Sequence, residues 1–215
     1  MEAVLSSARS TPCSLADPAF DAGALSEDIA KANSLRRDLR SLIASNAATV
    51  SIGEDEVVER LLRRRGFCDH DLVVERMGLG TRRITVVCIP ERQWINPASM
   101  VELIGLKRLT RAGGRTVLLV PEAAVQREPR LATARAIETA MATPVSAEDR
   151  MAVLRHLIEM GYSPLQDCAC VVAAEAPYSA ILAMVGMGAV KMDRNRPITP
   201  DTRIDLPDDR DPGDI

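Results

Sequence analysis

Two runs constrain this chain more than anything else in it: "RRITVVCIP" (Arg82 to Pro90) and "RTVLLVPE" (Arg115 to Glu122). Segments this apolar need packed layers on both sides, so each predicts a strand inside a helix-covered sheet, the second in the sheet's middle. Between them "ASMVELIGLKRLTRAGG" keeps helical spacing from a cap at Asn96 or Ser99 to a stop at Gly113 and Gly114. "DLVVERMG" precedes the first run with glycines on either side of Leu79, which predicts a hairpin.

The elements around this centre follow from local signals. "LSEDIAKANSLRRDLRSLIAS" has a capping Ser26 and apolar residues Ile29, Leu35, Leu39, Leu42 and Ile43 at helical spacing. It predicts a helix over 24–46 that packs on the body or pairs with a copy of itself as a homodimer. "SIGEDEVVERLLRRRGF" reads as a helix with acids in its first turn, basic residues in its last, and Gly66 as its end, an order that suits the helix dipole. With "PRLATARAIETAMA" as a closing helix, residues 49–142 form a small α/β core.

A second block spans 145–206. Ser146 caps "SAEDRMAVLRHLIEMG", whose expected apolar face is Met151, Leu154, Leu157 and Ile158. Short helices follow in "PLQDCACVVAA" and "PYSAILAMVGMG", and then two alternating stretches around an Asn-Arg-Pro turn. Three helices and a terminal hairpin are the layout of a winged helix-turn-helix domain. Residues 1–23 and 207–215, the latter acidic, are expected to be disordered tails.

Composition narrows the function classes. Of 215 residues 47% are hydrophobic but only 2% aromatic, so Leu, Val, Ile, Ala and Met must build the cores. Base stacking on aromatic platforms is disfavoured for the same reason. The net charge of -3 argues against a general polycation, while leaving room for local basic patches. Five cysteines without framework spacing predict unpaired thiols in a reducing compartment. The opening residues lack a signal-peptide pattern and no run reaches membrane-spanning length, so a cytoplasmic location without membrane association is expected.

Helix, hairpin, helix and strand is similar to the core order of restriction endonucleases. Joined to a winged helix, it resembles the TnsA subunit of transposon endonucleases in element order. The resemblance implies magnesium held by acids, for which the candidates are Glu56 on the helix and Asp69 and Asp71 at the hairpin, with Glu54, Glu59 and Glu75 nearby. The chain departs from that pattern at its most telling place. The second strand must carry Glu-x-Lys, and here it reads "VVCIP".

Other chemistries lack their motifs. There is no phosphate-cradling glycine loop leading into a helix, and a Cys-His nucleophile would have to come from Cys68 and His70, read more simply as a strand-edge pair. Arg63, Arg64 and Arg65 with Arg82 and Arg83 form an anion-attracting patch if the helix end and the hairpin meet. The third helix of the winged block offers no Arg, Lys, Asn or Gln to base edges, so only the wing, with Lys191, Arg194, Asn195, Arg196 and Arg203, suits phosphates or a minor groove. The expectation is a non-catalytic DNA-associated protein without cofactor, touching DNA backbone and protein partners. Its alternatives are a magnesium-dependent endonuclease subunit and a protein-interaction adaptor that never meets nucleic acid.

Overall fold

A computed structural model describes residues 22–207, so the expected tails lie outside the described residues except at 22, 23 and 207. It is a mixed α/β chain with a four-stranded sheet and a separate three-stranded one. In chain order the first part comprises α1 (Ala22–Ala44), β1 (Thr49–Gly53), α2 (Glu56–Arg64), β2 (Val73–Leu79), β3 (Arg82–Ile89) and α3 (Glu91–Trp94). Next come α4 (Pro97–Ala112), β4 (Thr116–Pro121), α5 (Glu122–Val125) and α6 (Arg130–Ala140). The remainder is α7 (Ala147–Met160), β5 (Tyr162–Pro164), α8 (Leu165–Cys170), α9 (Pro177–Gly186), β6 (Lys191–Met192) and β7 (Arg203–Asp205).

The large sheet runs in the order β1, β2, β3, β4. Its first two neighbours are antiparallel and its last pair, joined through α4, is parallel. Strand alternation gives the sheet two apolar faces. Val73, Val86 and Cys88 pack on Leu35, Leu39 and Ile43 of α1, while Val74, Val87 and Ile89 pack on Leu62 of α2 and on Leu103 and Leu106 of α4. The predicted hairpin is present, with its turn at Gly80 and Thr81.

Three expectations need correction. β4 is an edge strand and not a central one; its apolar residues are covered from the faces, and Leu118 is left exposed. The residues before α2 form β1, which the helix reading absorbed because Val50 and Ile52 point outward and give no inward apolar pattern. Helix α7 buries Val153 and Leu157 and exposes Met151 and Ile158. Its rotation is fixed by Asp149, which turns inward to accept the Ala173 amide at 2.7 Å and the Ser146 hydroxyl at 2.7 Å.

The C-terminal part places α7, α8 and α9 around one core with the sheet β5-β7-β6 beside them. Strand β5, three residues long, was not foreseen. Helix α6 belongs to both halves. Ile137 and Ala140 join the C-terminal core against α9, while Arg135 pairs with Asp38 of α1. The close α6-α9 approach depends on Gly186, where an added Cβ would lie 2.7 Å from Met141 Cγ and 3.0 Å from Ile137 Cγ2. Among the described residues, no helix is long and apolar enough to cross a membrane.

Candidate functional site

The acids proposed for metal chemistry are dispersed by the fold. Glu56 is exposed in the first turn of α2, whereas Asp69 pairs with Arg63 at that helix's last turn, Nε to Oδ1 2.6 Å. Nine residues of helix separate these ends by roughly 13 Å. Asp71 serves the approach to β2. Its Oδ2 accepts the Cys68 amide at 2.7 Å, and its Oδ1 accepts Arg92 Nη2 and Gln93 Nε2, each at 3.2 Å. The same Arg92 donates Nη1 to Asp28 Oδ2 of α1 at 2.6 Å. A guanidinium therefore bridges a carboxylate of the first helix and one at the head of the hairpin.

This bridge borders a cleft of about 250 Å³ at the carboxyl ends of β3 and β4. Its walls include Lys31, Leu35, His70 and Glu122 besides Asp28 and Arg92. Cys68 lines a different cleft, of about 180 Å³ between α1 and α2, so Cys68 and His70 do not converge on one space. Burial, and then the Glu122 charge, pushes the Cys88 thiol up to about 12. No group of three or more His, Cys, Asp or Glu side chains that could hold a metal occurs among the described residues.

Glu75, fully buried in the middle of β2, faces α1. Its Oε1 accepts Arg40 Nε at 2.8 Å and lies 3.7 Å from Arg36 Nε, and Arg36 in turn reaches Glu54 at 2.9 Å. Glu75 Oε2 has no hydrogen-bond partner among the described residues. Asp55 is the corresponding buried acid on the opposite face of the sheet. It caps α2 through the Val57 and Val58 amides, accepts the Thr85 hydroxyl at 2.7 Å and pairs with Arg115 at 3.3 Å. Burial acts to raise its carboxyl, but the Thr85 and Val58 hydrogen bonds and the Arg115 and Arg76 charges outweigh it and hold the group below the usual carboxylate range.

The basic candidates divide into separate groups. Arg63 is held by Asp69 and Glu59, Arg64 is exposed, and Arg65 donates to Glu102 in the first half of α4 at 2.6 Å. Arg82 and Arg83 sit at the other end of the sheet, where Ile84 pairs with Thr116 just after α4 has ended. The single patch expected from Arg63, Arg64, Arg65, Arg82 and Arg83 is thus split, because α4 spans the distance between its halves. Arg76, which sequence reading missed, and Arg115 both act on Asp55; pairing of β2 with β1 and β3 sets Arg76 opposite Gly53 and Thr85.

In the C-terminal part, α9 is buried from Ala180 to Gly186 by its own core and by α6. A helix covered on both sides cannot enter a groove. The segment between β6 and β7 lies against α6, where Thr133 Oγ1 donates to the Arg196 carbonyl at 3.1 Å. Burial, with Arg130 as a second and like-charged neighbour, lowers the pKa of Arg194; the Arg196 side chain is exposed and pairs with Asp193. Lys191 is half-buried in β6. His156 is hydrogen-bonded to Ser163 at 2.8 Å. No protein-family model, curated protein or solved structure matches the chain.

Proposed function

We propose that this chain is a non-catalytic, DNA-associated cytoplasmic protein, built from a degenerate restriction-endonuclease-like core and a winged-helix module. The support for the core is its topology: a leading helix across a mixed sheet, an antiparallel hairpin at the sheet's centre and a parallel strand returned by a helix. In such a core the hairpin carries the acids that hold magnesium. The observation that carries the loss of chemistry is the Arg92 bridge between Asp28 and Asp71, which gives these carboxylates an internal cation. Valine, cysteine and isoleucine on β3 supply no lysine to place a water.

The C-terminal order of helix, strand, two helices and two strands agrees with a winged helix whose third helix has become a packing element. Such a module contacts DNA backbone through its wing or docks on protein partners, and exposed Met151 and Ile158 on α7 suit the second role. The test is a gel-shift titration against salt: affinity for duplex that falls steeply as salt rises is expected, and no binding at low salt leaves only the adaptor reading. Plasmid incubated with magnesium or manganese should stay intact. Nicking that disappears in Asp71→Ala would restore the endonuclease reading.

A further inference from the structure

We infer that the end of the large sheet formed by the β2-β3 turn and the end of α4 is a contact surface for the phosphate backbone of duplex nucleic acid. The inference rests on the DNA-association reading and keeps the Arg82 and Arg83 half of the patch that sequence suggested, joining it to the end of α4 in place of Arg63, Arg64 and Arg65. Four elements bring cations there: Arg76 on β2, Arg82 and Arg83 on β3, Lys107, Arg108 and Arg111 in the last turns of α4, and Arg115 at the entry to β4. The parallel register sets Ile84 beside Thr116, so the hairpin turn and the α4 terminus share one end of the sheet.

Among the described residues at this end, only Arg115 meets a carboxylate, that of Asp55. Arg36, Arg40, Arg63, Arg65, Arg92, Arg135 and Arg203 each meet a carboxylate. Arg82, Arg83, Lys107, Arg108 and Arg111 are exposed and make no ion pair among the described residues. Asp55, which Arg115 and Arg76 face, is already engaged by Thr85 and Arg115. Uncompensated guanidiniums on short, well-packed elements present a fixed positive field, and Arg is suited to phosphate through its forked donors.

The nucleic acid fits best as a duplex. Single strands are held by stacking bases on aromatic rings, and this end of the sheet carries none: the hairpin from 73 to 89 and the segment from 97 to 121 contain no Phe, Tyr or Trp. Neither segment contains an asparagine or glutamine to pair with adenine, so the surface is assigned to the phosphate backbone that its arginines and lysine suit. Contacts confined to phosphate position a protein on DNA without reading its sequence.

The test uses the full chain, a short duplex of arbitrary sequence and one strand of that duplex, with affinity measured across a salt series. Two paired variants, Arg82→Gln with Arg83→Gln and Arg108→Gln with Arg111→Gln, alter exposed side chains only, and circular dichroism melts check that each folds as the parent does. Each pair should flatten the log-log salt dependence by up to about 1.8, at about 0.9 for each phosphate no longer neutralised, with duplex still preferred over single strand. Arg194→Gln with Arg196→Gln should change the slope less. If the parent binds and neither sheet-end pair alters slope or affinity, the surface is wrong while the DNA reading stands. A parent that prefers single strand also overturns the duplex assignment, and one that does not bind at low salt removes the DNA reading and this inference together.

Discussion

Arg40 of α1 donates its Nε to Glu75 Oε1 of β2 across 2.8 Å, joining the first helix to the middle of the sheet through a carboxylate with no solvent exposure. Arg40 itself is about half exposed, so the two partners respond differently to deletion. Removing the arginine leaves a buried charge with only Arg36 nearby, 3.7 Å away. Arg40→Ala should therefore cost about 3 kcal/mol in urea unfolding. Glu75→Met, which places an apolar side chain among Val73, Met77 and Val86 and frees the arginines to reach water, should cost clearly less. Equal losses in the two variants would show that the pair acts as a net stabilising bridge.

Gly188 and Ala47 test the contact between the two halves. A Cβ at Gly188 would lie 2.7 Å from Ala47 Cβ, and the glycine's φ of +75° is a conformation that other residues resist. Gly188→Ala should lose the backbone cost of about 1 kcal/mol as well as a steric cost that no rotamer of Ala47 can relieve. Adding Ala47→Gly should recover the steric part only. Full recovery in the double variant would mean that the backbone conformation costs nothing there.

Two acids should show opposite pH behaviour. Asp55 has a depressed carboxyl, so its ionised form stabilises the fold above the unfolded value near pH 4, and that stability is lost as pH falls through the lower folded value. Asp55→Asn, which keeps a capping oxygen, should be less stable than the parent at neutral pH and converge with it on acidification. Burial, and next the Glu54 charge, raises the Glu59 carboxyl, so Glu59→Gln should gain stability once pH exceeds the unfolded carboxylate range and match the parent below it. Thermal melts between pH 3 and pH 7 decide both signs.

The thiols divide by burial. Cys170 is exposed, whereas Cys88 and Cys168 are buried and burial raises both their pKa values. Iodoacetamide on the native protein should modify Cys170 and spare Cys88 and Cys168 until denaturant is added, as peptide mass spectrometry would record. Rapid native labelling of Cys88 would mean that the α1 layer opens easily.

Much of the architecture was legible because periodicity and end signals are local. Asn96 caps α4, Ser146 caps α7, and the apolar hairpin and β4 all occur where their residues predict them. Strands β1 and β5 were not legible: one turns its apolar residues outward and the other is three residues long, so each exists by pairing with a distant partner. The site was less legible than the fold. Asp71 reads from sequence as a metal ligand, yet its partners Arg92 and Gln93 stand about twenty residues later and reach it only through the turn into α3. Likewise nothing near Glu75 in sequence announces Arg40, 35 positions earlier, and nothing in "PYSAILAMVGMG" tells what covers it. Local patterns select elements; charge partners are selected by register and packing.

Helix α6 has a consequence for how such a protein can change over evolutionary time. Its residues face the first helix on one side and α9 on the other, so the chain has no seam at which either half could be exchanged by recombination without stripping a core. A gene fragment ending after α6 would carry bare apolar surface at Ile137 and Ala140, and one starting after it would leave α9 uncovered. Shared burial of α6 therefore ties the stability of the two halves to one helix.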